Sequence, residues 1–144
     1  MDPNQPAEPK ISAEEFAALA LEGVPYAGQL NCRFERFEAG KLTVRMPYQP
    51  LLRRPGNTIC GPALMALADI TLYGVVMSMI GRVELAVTTD LTIHFLRRPA
   101  PADVLAEGRL LKLGRRLAIG EVTMHGERDP GPICHVVGTY AIPP

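Results

Sequence analysis

Residues Arg54 to Ile80 read RPGNTICGPALMALADITLYGVVMSMI. Three turn formers, Pro55, Gly56 and Asn57, lead to a Gly61-Pro62 step. Proline suits the first turn of a helix, where its missing N–H has no partner to lose. Beyond that step the chain is apolar almost all the way round, with Asp69 its single charge. A helix without a polar face belongs inside something. The run is long enough to cross a bilayer. However, Asp69 near its middle would cost roughly 2.5–3.5 kcal/mol on insertion, Pro62 and Gly74 interrupt it, and everything downstream alternates like a strand. A helix wrapped by the sheet of its own chain accounts for all of this, and no membrane partner is expected.

The chain has 144 residues, enough for one domain that buries a long helix. Lys+Arg and Asp+Glu both number 15, for a formal net charge of +0, so composition implies no bulk attraction to nucleic acid or anionic lipid. The hydrophobic share of 47% points to heavy burial, a subunit interface included. Cys32, Cys60 and Cys134 are odd in number and form no C-x-x-C, which argues against a disulfide framework or a zinc knuckle. His94, His125 and His135 show no H-E-x-x-H or other metal spacing, so no metal is expected. Residues 1–10, MDPNQPAEPK, are expected to form a disordered tail, with a single domain over 11–144. The tail lacks a basic-then-apolar signal pattern, which makes the cytoplasm the expected location.

Ser12 opens S-A-E-E, a capping box with Glu15 three residues on. Phe16, Leu19 and Ala20 give that helix one apolar face, and Gly23 with Pro25 should stop it. Leu42, Val44 and Met46 then alternate with Lys41, Thr43 and Arg45, the pattern of a half-buried strand. Glu38-Ala39-Gly40 supplies a turn, and Phe34 and Phe37 suggest the other arm of a hairpin. After Gly81, Glu84 to Leu96 reads as one long strand. Leu85, Val87, Leu91, Ile93 and Phe95 are placed on its helix-facing side; Ala86, Thr88, Asp90, Thr92 and His94 are placed on the other. Asp103–Leu113 and Arg115–His125 follow, joined at Gly114. Residues from Gly126 to Pro132 form a turn, and Ile133–Ile142 is the last strand. Helix, hairpin, long apolar helix, then consecutive strands describe an α+β hotdog fold, an antiparallel sheet wrapped around one long central helix.

Gly61-Pro62-Ala-Leu-Met-Ala-Leu-Ala-Asp69, the strand Ala86-Val-Thr-Thr-Asp-Leu-Thr-Ile-His-Phe-Leu-Arg-Arg-Pro99 and the Gly114-Arg-Arg-Leu117 step occur in this order. Over roughly residues 30 to 142 the chain thus resembles the PaaI-type hotdog acyl-CoA thioesterases. Before the helix that family usually carries Asn-x-x-Gly-Thr-x-His-Gly-Gly. The matching segment here is Arg54-Pro-Gly-Asn57-Thr-Ile-Cys60-Gly61-Pro62. Thr58 and Gly61 match, whereas Arg54 stands in the place of Asn, Cys60 of His and Pro62 of the second Gly. The departures keep the helix start and its acid but alter the substrate-facing loop formed by Arg54, Asn57, Cys60 and Pro62.

Thioester hydrolysis needs a group that activates water or attacks, and donors for the oxyanion. The N–H of Gly61 at a helix N-terminus is such a donor, and glycine permits close approach of the carbonyl. The resemblance implies Asp69 as the catalytic base or nucleophile and Thr88 as a hydroxyl holding the water or the acid. Asp69 lies eight residues beyond Gly61, about 12 Å along a helix at 1.5 Å per residue. One helix cannot bring both to the same carbon. Two antiparallel helices across a two-fold axis could, and the resemblance implies that composite site, in a homodimer that pairs further into a homotetramer.

Cys60 is a rival nucleophile, since a thiol at a helix N-terminus can have a lowered pKa, but it would need a base. The pairs Arg97-Arg98 and Arg115-Arg116, together with Arg53-Arg54, read as anion sites, because guanidinium grips phosphate bidentately and coenzyme A ends in phosphates. In a meander, Arg97-Arg98 and Arg115-Arg116 fall at opposite ends of the sheet. The expected activity is hydrolysis of a small aromatic or short- to medium-chain acyl-CoA. It requires no cofactor beyond the coenzyme A of the substrate. The alternative is a hotdog module that binds a thioester without cleaving it. A hydratase would want a His beside the helix start, where the sequence has none.

Overall fold

The apolar run forms a single helix in the computed structural model, which describes residues 8–144. In chain order the elements are α1 (Ala13–Gly23), α2 (Pro25–Gln29), β1 (Arg33–Glu38), β2 (Lys41–Met46), β3 (Arg53–Arg54), β4 (Thr58–Ile59) and α3 (Gly61–Ile80). They are followed by β5 (Val87–Phe95), β6 (Val104–Leu113), β7 (Leu117–Gly126) and β8 (Asp129–Ala141). Six strands make one antiparallel sheet in the order β1-β2-β6-β7-β8-β5, and β3 pairs with β4 beside it. This is the α+β hotdog architecture, with α3 as its filling. Of the tail expected over residues 1–10, the first seven lie outside the described residues; the Lys10 N–H donates to the Ser78 carbonyl at 2.8 Å.

α3 has the length and composition of a membrane span, yet 72% of its most apolar window is buried inside the sheet. Side-chain deletion on the strands is what lets it sit so close. A Cβ on Gly108 of β6 would lie 2.6 Å from Thr71 Cγ2 and 3.0 Å from Val75 Cγ2. Gly120 and Gly138 on the next two strands meet Leu72 in the same way. Gly74 does not break α3. It opens the notch that Phe16 of α1 and Leu42 of β2 fill, where a Cβ would lie 2.3 Å from Leu42 Cδ2. Thr71 and Val75 are branched at Cβ and have few rotamers to retreat into. Gly108→Ala is therefore expected to destabilise the fold by about 1–3 kcal/mol, measurable as a lowered midpoint in thermal unfolding. An unchanged midpoint would show that the helix can back away from the sheet.

The cap expected at Ser12 is present: its Oγ accepts the Glu15 N–H at 3.0 Å. Phe16 is wholly buried, edge-on to Phe34 at 5.0 Å and stacked on Phe37 at 5.4 Å. A bulge between Phe34 and Arg36 puts those two rings, three residues apart, on the same side. Pro25, expected only to stop α1, also begins the short helix α2, in keeping with proline at a first helical position. β8 starts earlier than expected, because Gly126 already pairs with Asp129 and the turn between them is short.

Two corrections bear on function. First, α3 does not lack an open face. Pro62 and Met65 are exposed and Ala66, Asp69 and Tyr73 half-buried, one stripe along successive turns that the sheet leaves uncovered. Second, the facing of the β5 segment is not uniform. A register shift between Thr88 and Asp90 inserts an extra residue, so Thr88 pairs with buried Tyr140 and shares the helix-facing side with Leu91 and Ile93. Val87, placed by simple alternation on that inner side, is 58% exposed, and Leu85 is 80% exposed.

Candidate active site

Asp69 projects from the uncovered stripe of α3 toward the start of β5 and the end of β8. Its Oδ1 accepts the Thr88 hydroxyl at 2.6 Å and the Tyr140 hydroxyl at 2.5 Å. Tyr140 also approaches the Asp69 main-chain carbonyl at 2.9 Å. Oδ2 has no protein partner among the described residues, and it opens on a cleft of about 230 Å³ lined by Val24, Asp69, Tyr73, Glu84, Thr88 and Tyr140. Burial first, then the adjacent Asp69 carboxylate, push the Tyr140 hydroxyl well above the ordinary tyrosine range, so it stays a neutral donor. The strand bulge is what delivers Thr88; without the extra residue its hydroxyl would point to the outer surface.

Gly61 occupies a second, larger cleft of about 630 Å³ at the N-terminus of the helix, two turns from Asp69, with Arg54, Leu64, Phe95, Arg97 and Arg98 among its walls. Cys60 precedes the helix without offering a side-chain cap, and Pro62 has no N–H. The Gly61 amide meets no protein acceptor among the described residues. Thr58 ties the rim together by donating to the Pro99 carbonyl at 2.6 Å. Arg97 is engaged by Asp129 through two contacts of 3.1 and 3.0 Å. Arg54 and Arg98 are exposed and unpaired among the described residues, so the cleft keeps free positive charge.

The structure thus brings Thr88 to Asp69, and it brings Arg54, Arg97 and Arg98 to Gly61. It does not bring those two groups together within one chain. Asn57 sits at the tip of the β3–β4 turn at φ 54°, exposed. Cys60 is half-buried and Pro62 exposed, flanking Gly61 on either side. Arg115 and Arg116 lie in the turn between β6 and β7, where Leu117, Ala141 and Val87 form the last row of the sheet. That is the end opposite Arg97 and Arg98, as a meander requires.

Among the described residues no histidine stands beside the thiol of Cys60. His94 and His135 face one another across β5 and β8, and His125 alternates with wholly buried Met124; all three stand on the outer face of the sheet. Burial pushes the thiols of Cys32 and Cys134 up to about 12 and about 11, far from nucleophilic. Sequence reasoning missed Tyr140. Its one signal was parity: it shares the inward set of β8 with Cys134, Val136 and Gly138, a hydroxyl among small and apolar neighbours.

One long helix wrapped by a six-stranded antiparallel sheet defines the hotdog class of fold. The sequence model of the thioesterase superfamily matches residues 56–132. A crystal structure of a protein from Silicibacter sp. TM1040 assigned as a thioesterase is 36% identical, covers 96% of each chain and superposes with a TM-score of 0.86. A protein of Thermoplasma acidophilum assigned as an esterase is 26% identical over 78% of this chain and 85% of its own. The E. coli PaaI protein of the phenylacetic acid degradation operon shares the fold, with a TM-score of 0.79 at 18% identity over 92% of this chain and 94% of its own. The chain belongs to the thioesterase superfamily, and its chemistry is that of a thioester hydrolase.

Proposed function

We propose that this protein is a cytoplasmic acyl-CoA thioesterase that works as a homodimer, with Asp69 of one subunit facing Gly61 of the other. The observation that carries this reading is the division of the site: a carboxylate with one free oxygen near the middle of α3, and an unpaired amide in a cationic cleft at its N-terminus. A two-fold axis with the two α3 helices antiparallel would unite them twice. The surface left open supports such a partner. Met65 on the uncovered stripe is 45% exposed, and β5 is an edge strand showing Val87 and Phe95, with exposed Leu96 just beyond it. Apolar side chains beside an unpaired strand edge are unusual on a monomer surface. Two such dimers would pair into the tetramer.

In that site Oδ2 of Asp69 takes a proton from water, and the oxygen adds to the thioester carbon. The alternative course, direct attack by Oδ2, would pass through an anhydride that water then opens. In either case negative charge gathers on the carbonyl oxygen, where the Gly61 N–H and the helix dipole meet it. Collapse expels the thiolate of coenzyme A, which leaves as the thiol, and the free acid departs. Acyl groups of small aromatic or short- to medium-chain type suit a cleft walled by Val24, Ile70, Tyr73 and Tyr140.

With Arg97 tied to Asp129, Arg54 and Arg98 are the proposed ligands of the nucleotide phosphates, joined by Arg115 and Arg116 from a neighbouring subunit. Arg54→Ala or Arg98→Ala is expected to raise KM about tenfold with kcat little changed, the signature of binding felt equally in ground and transition states. Steady-state kinetics on an acyl-CoA and on a truncated thioester without the nucleotide would separate the two effects. A KM increase of equal size on both substrates would remove the phosphate role. The reading as a whole is tested by following thiol release from a panel of acyl-CoAs. Equilibrium binding without thiol release would favour the alternative of a binding module.

A further inference from the structure

We infer that Tyr140 is a positioning residue for thioester cleavage, holding Asp69 so that Oδ2 alone is presented to the reacting water or thioester. The inference rests on the thioesterase reading above and adds to it the part that holds the acid still. Tyr140 is 3% exposed, and its hydroxyl lies within hydrogen-bonding distance of two oxygens of one residue, the Asp69 carbonyl at 2.9 Å and Oδ1 at 2.5 Å. A donor shared between the main chain and the side chain of the same aspartate fixes that side chain's rotation. Thr88, the cross-strand partner of Tyr140, donates to the same Oδ1. Both hydroxyls come from the sheet and the acid from the helix, so the carboxylate cannot turn without releasing both.

The phenol ring is itself braced. It stacks on Tyr73 at 6.1 Å, and the Tyr73 hydroxyl donates to the Glu84 carbonyl at 2.9 Å. Glu84 is the other carboxylate of this cleft, and its side chain is held by Arg82. Tyr73, Tyr140, Glu84 and the Thr88 hydroxyl line this cleft with Asp69 among the described residues. Removing the Tyr140 donor should therefore free the rotation of Asp69.

The test is Tyr140→Phe in the full chain, with Asp69→Asn beside it, in steady-state acyl-CoA hydrolysis. The ring and its stack on Tyr73 remain in Tyr140→Phe. The expected result is a kcat about tenfold lower with KM unchanged, the loss of an arrangement used only in the transition state. A KM that rises in step with the fall in kcat would mark the hydroxyl as packing and overturn the inference, as would wild-type kinetics. Turnover by Asp69→Asn at the wild-type rate would instead overturn the role of Asp69, and that of Tyr140 with it. Should Tyr140→Phe fail to fold, 4-fluorophenylalanine placed at position 140 fills the space of the hydroxyl without a donor. Its kcat should then fall about tenfold at unchanged KM, and wild-type kinetics would overturn the inference.

Discussion

Asp69→Asn is expected to lower thiol release from acyl-CoA by about 10²–10⁴-fold while leaving the fold and KM close to those of the unmodified protein. The amide has the shape of the acid, and its oxygen can still accept from Thr88 and Tyr140 in the Oδ1 position. Its nitrogen in the place of Oδ2 can neither take a proton from water nor attack a thioester. The loss should therefore fall on kcat alone. Capture of the released thiol by a chromogenic disulfide measures the rate, and a thermal unfolding scan guards against a folding defect. Turnover at the unmodified rate would end the assignment of Asp69 and leave only the family's chemistry, with its acid unknown.

The second large effect is a rescue. Gly61→Pro removes one N–H and little else, since Gly61 is the first residue of α3 and the preceding Cys60 is already extended. Separately, Gly61→Pro and Asp69→Asn should each be nearly inactive. Mixed and refolded together, half of the dimers would carry one chain of each kind. In those, one site joins the intact Asp69 of the first chain to the intact Gly61 of the second, and the other site holds both lesions. Recovery of about a quarter of the unmodified rate is expected from the mixture. A chain carrying both substitutions cannot be rescued by itself. No recovery in the mixture, or an active species sedimenting as a monomer, would rule out a site shared between subunits.

The fold was legible because its main signals are local. A long apolar run with a single charge and Pro62 near its start reads as a buried helix once a membrane is set aside, and Ser12 to Glu15 announces a cap by spacing alone. Alternation at Leu42, Val44 and Met46 survives unchanged as the buried face of β2. The same rule failed at β5. Alternation read along a strand assumes that no residue is inserted, and a bulge is decided by the partner strand, here by Tyr140 and Thr139 standing opposite Thr88 and Asp90. That single insertion turned Thr88 inward and Val87 outward.

By itself, then, the sequence determined the central helix, the identity of its one acid, and the separation of that acid from Gly61, because helical rise is a constant of the backbone. Only the tertiary structure decided which hydroxyls reach Asp69 and which of its oxygens is left free. It also decided that Arg97 is spent on Asp129 while Arg54 and Arg98 remain open. Those outcomes depend on register between strands far apart in the chain. Contacts of that kind are fixed by how the sheet closes around α3, and no local pattern of residues records them.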